Sequence, residues 1–285
     1  MKLGLALSGG GVRGIAHAGV LKALEENNIK VDVIGGTSCG SLVASLYAMG
    51  YSPYYIYILF QKYAKEIAGI NMVTFATGLN SILLNKRLKI SGLNTGESIE
   101  KIYDELAAQK GIKTIADIKM PIAIPTVDIT ESNEYIFTNQ IPEKIKNKRF
   151  YIDNVTIGKA VRASSSFPVV FSPCEIGKHK FLDGGTLNNV PTSQVRKLGA
   201  DKVISINFDA DEIDDSSNIM DIVMKTLDIM GNKISEKSLQ RSDLIITVPS
   251  DKTGLLDIEK IDKCYNLGYE TAIRKIEEIK NLIKD

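Results

Sequence analysis

The chain has 285 residues, 44% of them apolar and 24% charged, with a formal net charge of +1. That balance suits a globular protein of one large domain or two small ones, and it excludes a global field that would recruit nucleic acid or an anionic membrane. Cys39, Cys174 and Cys264 are its three cysteines; they are widely spaced, which argues against a disulfide framework or zinc site and fits a reducing, cytoplasmic compartment.

The first apolar run, Leu3 to Leu7, ends in Gly9-Gly10-Gly11 and Arg13. It is too short and too interrupted for a signal peptide and reads as a buried parallel strand. Helical spacing follows over 15–26, with Ala16, Gly19, Val20, Ala23 and Leu24 on one face, then a strand over 31–35 and an apolar helix over 41–49. Ser52 and Pro53 form an N-cap and first helical position. The helix behind them aligns Ile56, Phe60, Tyr63 and Ile67. A loose stretch over 69–92 precedes a helix near 96–109. Strands are expected over 122–129, 135–137, 180–182, 202–207 and 244–248. They alternate with helices near 157–163, 192–198 and 220–239, and a last helix carries Ile261, Tyr265, Ala272, Ile276, Ile279 and Ile283 on a stripe. No stretch of 18 apolar residues marks a membrane span. Alternating strands and helices predict an α/β fold with a mostly parallel central sheet, in one domain over 1–285.

Gly36-Thr37-Ser38-Cys39-Gly40 matches G-x-S-x-G between a strand and a helix. In that setting the flanking glycines permit a tight turn that exposes the serine, and the following helix N-terminus favours developing negative charge. A glycine-rich turn without chemistry is the plain alternative. Ser8 to Gly14 sits in a similar strand-to-helix setting, where consecutive glycine amides can converge on an anion. Its Gly9, Gly11 and Gly14 also spell G-x-G-x-x-G, with Asp32 near the spacing of a ribose-binding acid. Asp32, however, precedes the apolar end of its strand.

The chain has two histidines, His17 and His179. His17 reads as a satisfied helix residue and His179 as an exposed residue of a polar turn. No histidine follows Asp183, so a Ser-acid-His order is disfavoured. Phe181-Leu182-Asp183-Gly184-Gly185 ends a strand with a carboxylate; both an acid in a turn and a base for Ser38 remain open.

Together the three motifs resemble those of the patatin-like phospholipases: Gly9-Gly10-Gly11-Val12-Arg13-Gly14, then Gly36-Thr37-Ser38-Cys39-Gly40, then Asp183-Gly184-Gly185, in that order. Ala163-Ser164-Ser165-Ser166-Phe167-Pro168 resembles the family pattern as well. The resemblance extends over 3–210, with 211–285 a looser C-terminal strand and helices. It implies a three-layer α/β/α fold and a cofactor-free, metal-free serine acyl hydrolase acting on (lyso)phospholipids or related lipid esters, either free in the cytoplasm or peripherally at a membrane surface. Ser38 is then the nucleophile and Asp183 the base of a dyad. Gly9, Gly10, Gly11, Val12 and Cys39 surround the oxyanion. Arg13, Gly14, Gly36, Gly40, Gly184 and Gly185 support the motifs. Gly185 stands where alanine is common in the family. The helix at 54–68 and the loose stretch to about 92 are a candidate lid or acyl wall, although core packing is the more frequent explanation for such a helix, and the Met220, Met224, Leu227, Met230 stripe reads as core. A dinucleotide-binding oxidoreductase and a non-catalytic lipid-binding relative are the alternatives.

Overall fold

A computed structural model describes residues 1–68, 94–168, 170–209 and 219–284, without the side chains of 219–224 and 228. Its centre is a nine-stranded sheet. The strands are β1 (Leu3–Leu7), β2 (Val33–Gly36), β3 (Ile122–Asp128), β4 (Asn133–Thr138), β5 (Tyr151–Ile152), β6 (Cys174–Ile176), β7 (His179–Asp183), β8 (Lys202–Phe208) and β9 (Leu244–Val248). The main order is β5-β4-β3-β2-β1-β8-β9, and the β6–β7 hairpin joins through β3. Pairs β1–β2, β1–β8, β2–β3, β4–β5 and β8–β9 are parallel, while β3–β4, β3–β7 and β6–β7 are antiparallel.

Strand alternation sorts side chains between two helical layers. Leu3, Leu5 and Leu7 face a thick layer that draws on helices Ala16–Glu26, Cys39–Ala48, Pro53–Lys62, Glu97–Gln109, Ile157–Ser164 and Ile261–Arg274. Ala6 and Val33 face a thin one, built by Val195 of the helix Thr192–Lys197 and Leu198 at its C-terminal end, with Leu239 packed against the cluster. The result is the expected three-layer α/β/α architecture. The C-terminal helix contributes Ile261, Cys264, Tyr265 and Ala272 to the same core as β1. The expected single helix there is two, breaking at Lys275 before Ile276–Leu282. Ser52 caps the Pro53 helix as read, accepting from the Tyr55 amide at 3.3 Å. That helix is chiefly core, with Ile56 and Phe60 buried, although Tyr54 and Tyr55 are exposed. The loose stretch over 69–92 falls outside the described residues.

One feature of the topology positions the site. One edge of β3 is taken by β4, so β2 and β7 share the other. β2 runs parallel to β3 and reaches Gly35 opposite Ala123, whereas β7 runs antiparallel and ends with Asp183 opposite Thr126. The two strands approach end to end, and their C-terminal residues meet over Pro125.

Candidate active site

The helix Cys39–Ala48 begins directly after Ser38, two residues earlier than the spacing predicts. Ser38 has φ 53° and ψ −126°, a left-handed turn unusual for a residue with a side chain and costing on the order of 1–3 kcal/mol. Its surroundings hold it there. The Ser38 amide donates to Ser164 Oγ at 3.0 Å, Ser164 Oγ donates to the Pro125 carbonyl at 2.6 Å, and Ser41 Oγ donates to the Ser38 carbonyl at 2.6 Å. The turn is so tight that a Cβ on Gly36 would lie 2.1 Å from the Gly40 carbonyl oxygen. Gly40 faces the carbonyls of Leu7 and Ser8 at similarly short range, which ties the turn to the glycine loop after β1.

Ser38 Oγ donates to Asp183 Oδ2 at 2.6 Å, across 145 residues of chain. Asp183 Oδ1 accepts from the Gly185 amide at 2.7 Å, and the Asp183 amide donates to the Ser166 carbonyl at 3.1 Å. Gly184 packs on the Pro125 carbonyl, leaving no room for a side chain. Burial pushes the Asp183 carboxyl up to about 6, against the opposing hydrogen bonds from Ser38 and Gly185. A carboxylate so raised is a stronger base than an exposed aspartate, yet still ionised at neutral pH.

The glycine loop lies over this pair: a Cβ on Gly9 would come within 3.1 Å of Ser38 Cβ. Its amides divide into two sets. Gly9 N–H donates to the carbonyl and Oδ1 of Asn189 at 3.2 and 3.1 Å, and Val12 N–H donates to the Leu255 carbonyl at 2.8 Å. The Gly10, Gly11 and Cys39 amides have no acceptor among the described residues, and Cys39 opens a helix whose N-terminal partial charge is positive. Arg13 is buried, and its Nε donates to the Gly10 carbonyl at 3.2 Å. Gly14 allows Cys39 to pack against the loop, since a Cβ there would lie 2.4 Å from Cys39 Sγ.

The family described as patatin-like phospholipase matches residues 5–196, more than half of the chain. The chain belongs to the patatin-like phospholipase family. Curated relatives include lysophospholipase NTE1 of Scheffersomyces stipitis, 30% identical over 95% of this chain and 18% of that protein. Another is neuropathy target esterase sws of Drosophila melanogaster, 31% identical over 98% of this chain and 17% of that protein. The chain thus spans less than a fifth of the length of these relatives. Among solved structures, VipD from Legionella pneumophila shares the fold, with a TM-score of 0.52 at 14% identity over 97% of this chain and 66% of that one.

In this patatin-like chain a cavity of about 120 Å³ opens on Ser38 and Asp183. Its described walls are mostly apolar, including Leu42, Ile67, Phe171, Leu227, Met230 and Leu256, and contain no lysine, arginine or histidine. Leu227 and Met230 therefore depart from the core reading of their stripe: the helix Ile219–Leu239 lies over the Gly184–Thr186 turn and turns these side chains to the cavity. Met220 and Met224 carry side chains outside the description. Cys39 is buried, and burial pushes its thiol up.

One further reading is corrected. His179 is not an exposed turn residue: it pairs with Asp128 and stacks on Phe181 at 5.6 Å. Asp32 lies before the apolar end of its strand, as read from the sequence: it sits at the N-terminal end of β2, bound to the Leu3 amide at 3.1 Å and Lys30 at 2.8 Å, at the opposite end of the strands from the glycine loop, so the dinucleotide alternative lacks its acid. Asp128, Glu131 and His179 have ligand-type atoms within 4.8 Å of one another. Those groups already have partners, because Asp128 also accepts from Thr130 and Glu131 accepts from the Tyr135 hydroxyl. Asn189 and Leu255, which engage two of the loop amides, escaped the sequence reading. Asn is the common occupant of turns and Leu of interiors, so neither residue type carries a distinguishing signal.

Proposed function

We propose that this chain is a serine acyl hydrolase that cleaves fatty-acyl esters of (lyso)phospholipids or related lipids through Ser38 and Asp183. Ser38 Oγ attacks the ester carbonyl carbon while its proton passes to Asp183 Oδ2. The carbonyl oxygen becomes an oxyanion facing the Gly10 and Gly11 amides, with the Cys39 amide as a further donor. Collapse breaks the bond to the alcohol portion, which leaves with the proton held by Asp183, and the acyl group remains on Ser38. Water then gives a proton to Asp183 as its oxygen adds to the acyl carbon. The second collapse releases the fatty acid and returns the proton to Ser38. Gly9 and Val12, whose amides are already engaged, serve as wall.

The observation that carries this reading is the direct 2.6 Å hydrogen bond between Ser38 and Asp183. His17 and His179 both have other partners. The experiment is labelling by a fluorophosphonate probe, with the modified peptide identified by mass spectrometry. Adduct on Ser38 and loss of p-nitrophenyl butyrate turnover in Ser38→Ala are expected. Wild-type turnover by Ser38→Ala would end the proposal, and failure to label would favour a non-catalytic lipid-binding relative.

Two observations favour lipid esters over small polar ones. The described cavity wall is mostly apolar and without cationic groups, which suits an acyl chain and leaves a phosphate headgroup outside. The relatives named above are described as a lysophospholipase and an esterase. Met230 and Leu256, which line the cavity, are exposed, as are Leu187 and Ile229, the chain neighbours of the lining residues Thr186 and Met230; Ile229 and Met230 are each 53% exposed. With a net charge of +1, such exposure favours peripheral contact with a membrane surface by apolar insertion rather than by charge. Serine at both Leu187 and Ile229 is expected to lower co-sedimentation with phosphatidylcholine vesicles several-fold, at low and high salt alike. No described helix is long and apolar enough to cross a membrane.

A further inference from the structure

His17 takes no part in the steps above, yet it is fully buried beside them. Burial holds its imidazole down at about 4, against the hydrogen bond with Ser8. The ring is therefore neutral at working pH and carries one N–H. Nε2 lies 2.9 Å from the Ser8 carbonyl oxygen, which can only accept. The proton accordingly belongs on Nε2, an assignment made from the hydrogen-bond network, and Nδ1 is left without a partner among the described residues.

Ser8 is the residue from which the glycine loop departs. No peptide bond among the described residues is cis, and in a planar trans peptide the C=O and the following N–H point in opposite directions. Holding the Ser8 carbonyl on the His17 side turns the Gly9 N–H the other way, where it meets Asn189. Two residues on, Arg13 Nε holds the Gly10 carbonyl, which turns the Gly11 N–H away from Arg13, to the side without an acceptor. The two clamps share a platform. The His17 ring centroid lies 5.2 Å from that of Phe208, and the Arg13 guanidinium carbon 5.5 Å from it. The Phe208 ring also fills the space a Gly10 Cβ would need, at 2.7 Å.

We propose that His17 is a positioning residue of the oxyanion loop, acting through the Ser8 carbonyl to hold Gly9–Gly11 in the conformation that presents the Gly10 and Gly11 amides to the developing oxyanion. The inference rests on the hydrolase reading. It makes this histidine the holder of the electrophilic side of the site, with no role as a base.

The test compares His17→Gln, whose side-chain amide can place an N–H near the Nε2 position, with His17→Leu, which keeps bulk and loses the donor. Thermal unfolding establishes that each is folded. On p-nitrophenyl butyrate, His17→Leu is expected to lower kcat by roughly 10- to 100-fold, the scale of weakened oxyanion donors, with KM within about threefold. His17→Gln is expected to recover most of the loss. Inhibition by an alkyl trifluoromethyl ketone, whose adduct carries the oxyanion, is expected to weaken in step with kcat, and the acid limb of the pH–rate profile is expected to stay in place. Wild-type kcat in folded His17→Leu overturns the proposal. Equal impairment of both variants with unchanged ketone affinity does so too, as does a moved acid limb. Ser38→Ala separates the two levels: if it is inactive while His17→Leu is normal, only this inference falls; if it retains turnover, the hydrolase reading falls and takes this inference with it.

Discussion

Asp183 and Asp128 lie on the paired strands β7 and β3, both with covered side chains, and burial raises the pKa of both. Their neighbours set them apart. Asp128 accepts from the Thr130 amide and hydroxyl at 2.8 and 2.7 Å and pairs with His179, and together these outweigh burial and hold its carboxyl below the usual range. Asp183 has the Ser38 hydroxyl and one amide, and it stays raised at about 6. One aspartate is anchored as an anion, while the other is kept under-solvated and ready to take a proton. On the proposed mechanism, what would fit Asp183 rather than Asp128 to act as the base is a short supply of donors, not burial alone.

The largest effect that sharpens this contrast is on turnover. Ser38→Ala and Asp183→Asn are each expected to lower ester hydrolysis by roughly 10³-fold or more, while Asp128→Asn stays within about tenfold of wild type, measured as kcat/KM on p-nitrophenyl butyrate. Next comes pH. The base must be ionised, so kcat/KM is expected to rise through a midpoint of about 6 and to fall about tenfold per pH unit below it. A midpoint near 4 would break the contrast, because Asp183 would then titrate like any exposed aspartate.

Stability gives the two residues opposite signs. Asp183 keeps its proton in the folded state up to about 6, against 3.8 as its ordinary value. The folded protein binds more protons between those values, so stability falls as pH rises through that window and levels off above it. Asp183→Asn removes that cost and is expected to stabilise by about 1–3 kcal/mol at pH 8, with the gain vanishing near pH 3.5, by chemical denaturation. Asp128 has a lowered folded pKa, so its contribution is present above 3.8 and is lost as pH falls through the folded value. Asp128→Asn is expected to destabilise by about 1–2 kcal/mol at pH 8. The smallest effect is Thr130→Val, which removes one of the donors and is expected to cost about 1 kcal/mol, read in the same denaturation series.

Much of this protein was legible in one dimension because the relevant signals are local. Leu3, Leu5 and Leu7 alternate against small residues, the Ser52–Pro53 start is a capping pattern, and each glycine motif stands between a strand and a helix, where steric freedom and helix dipoles act within a few residues. Counting two histidines, neither of them after Asp183, already disfavoured a triad. The contacts that build the site are of another kind. Ser38 meets Asp183 across 145 residues because β2 and β7 share one edge of β3, and no periodicity encodes which strand ends face each other. Asn189 and Leu255 claim two loop amides from distant segments, Met230 turns to the cavity because its helix crosses the Gly184–Thr186 turn, and His17 and His179 find Ser8 and Asp128 only once the layers close. The sequence by itself determined the fold class, the order of the motifs and the candidate nucleophile and base. Tertiary structure alone decided which groups meet, which loop amides find no acceptor among the described residues and how far the Asp183 carboxyl is raised, since proximity and desolvation exist only after the chain has packed.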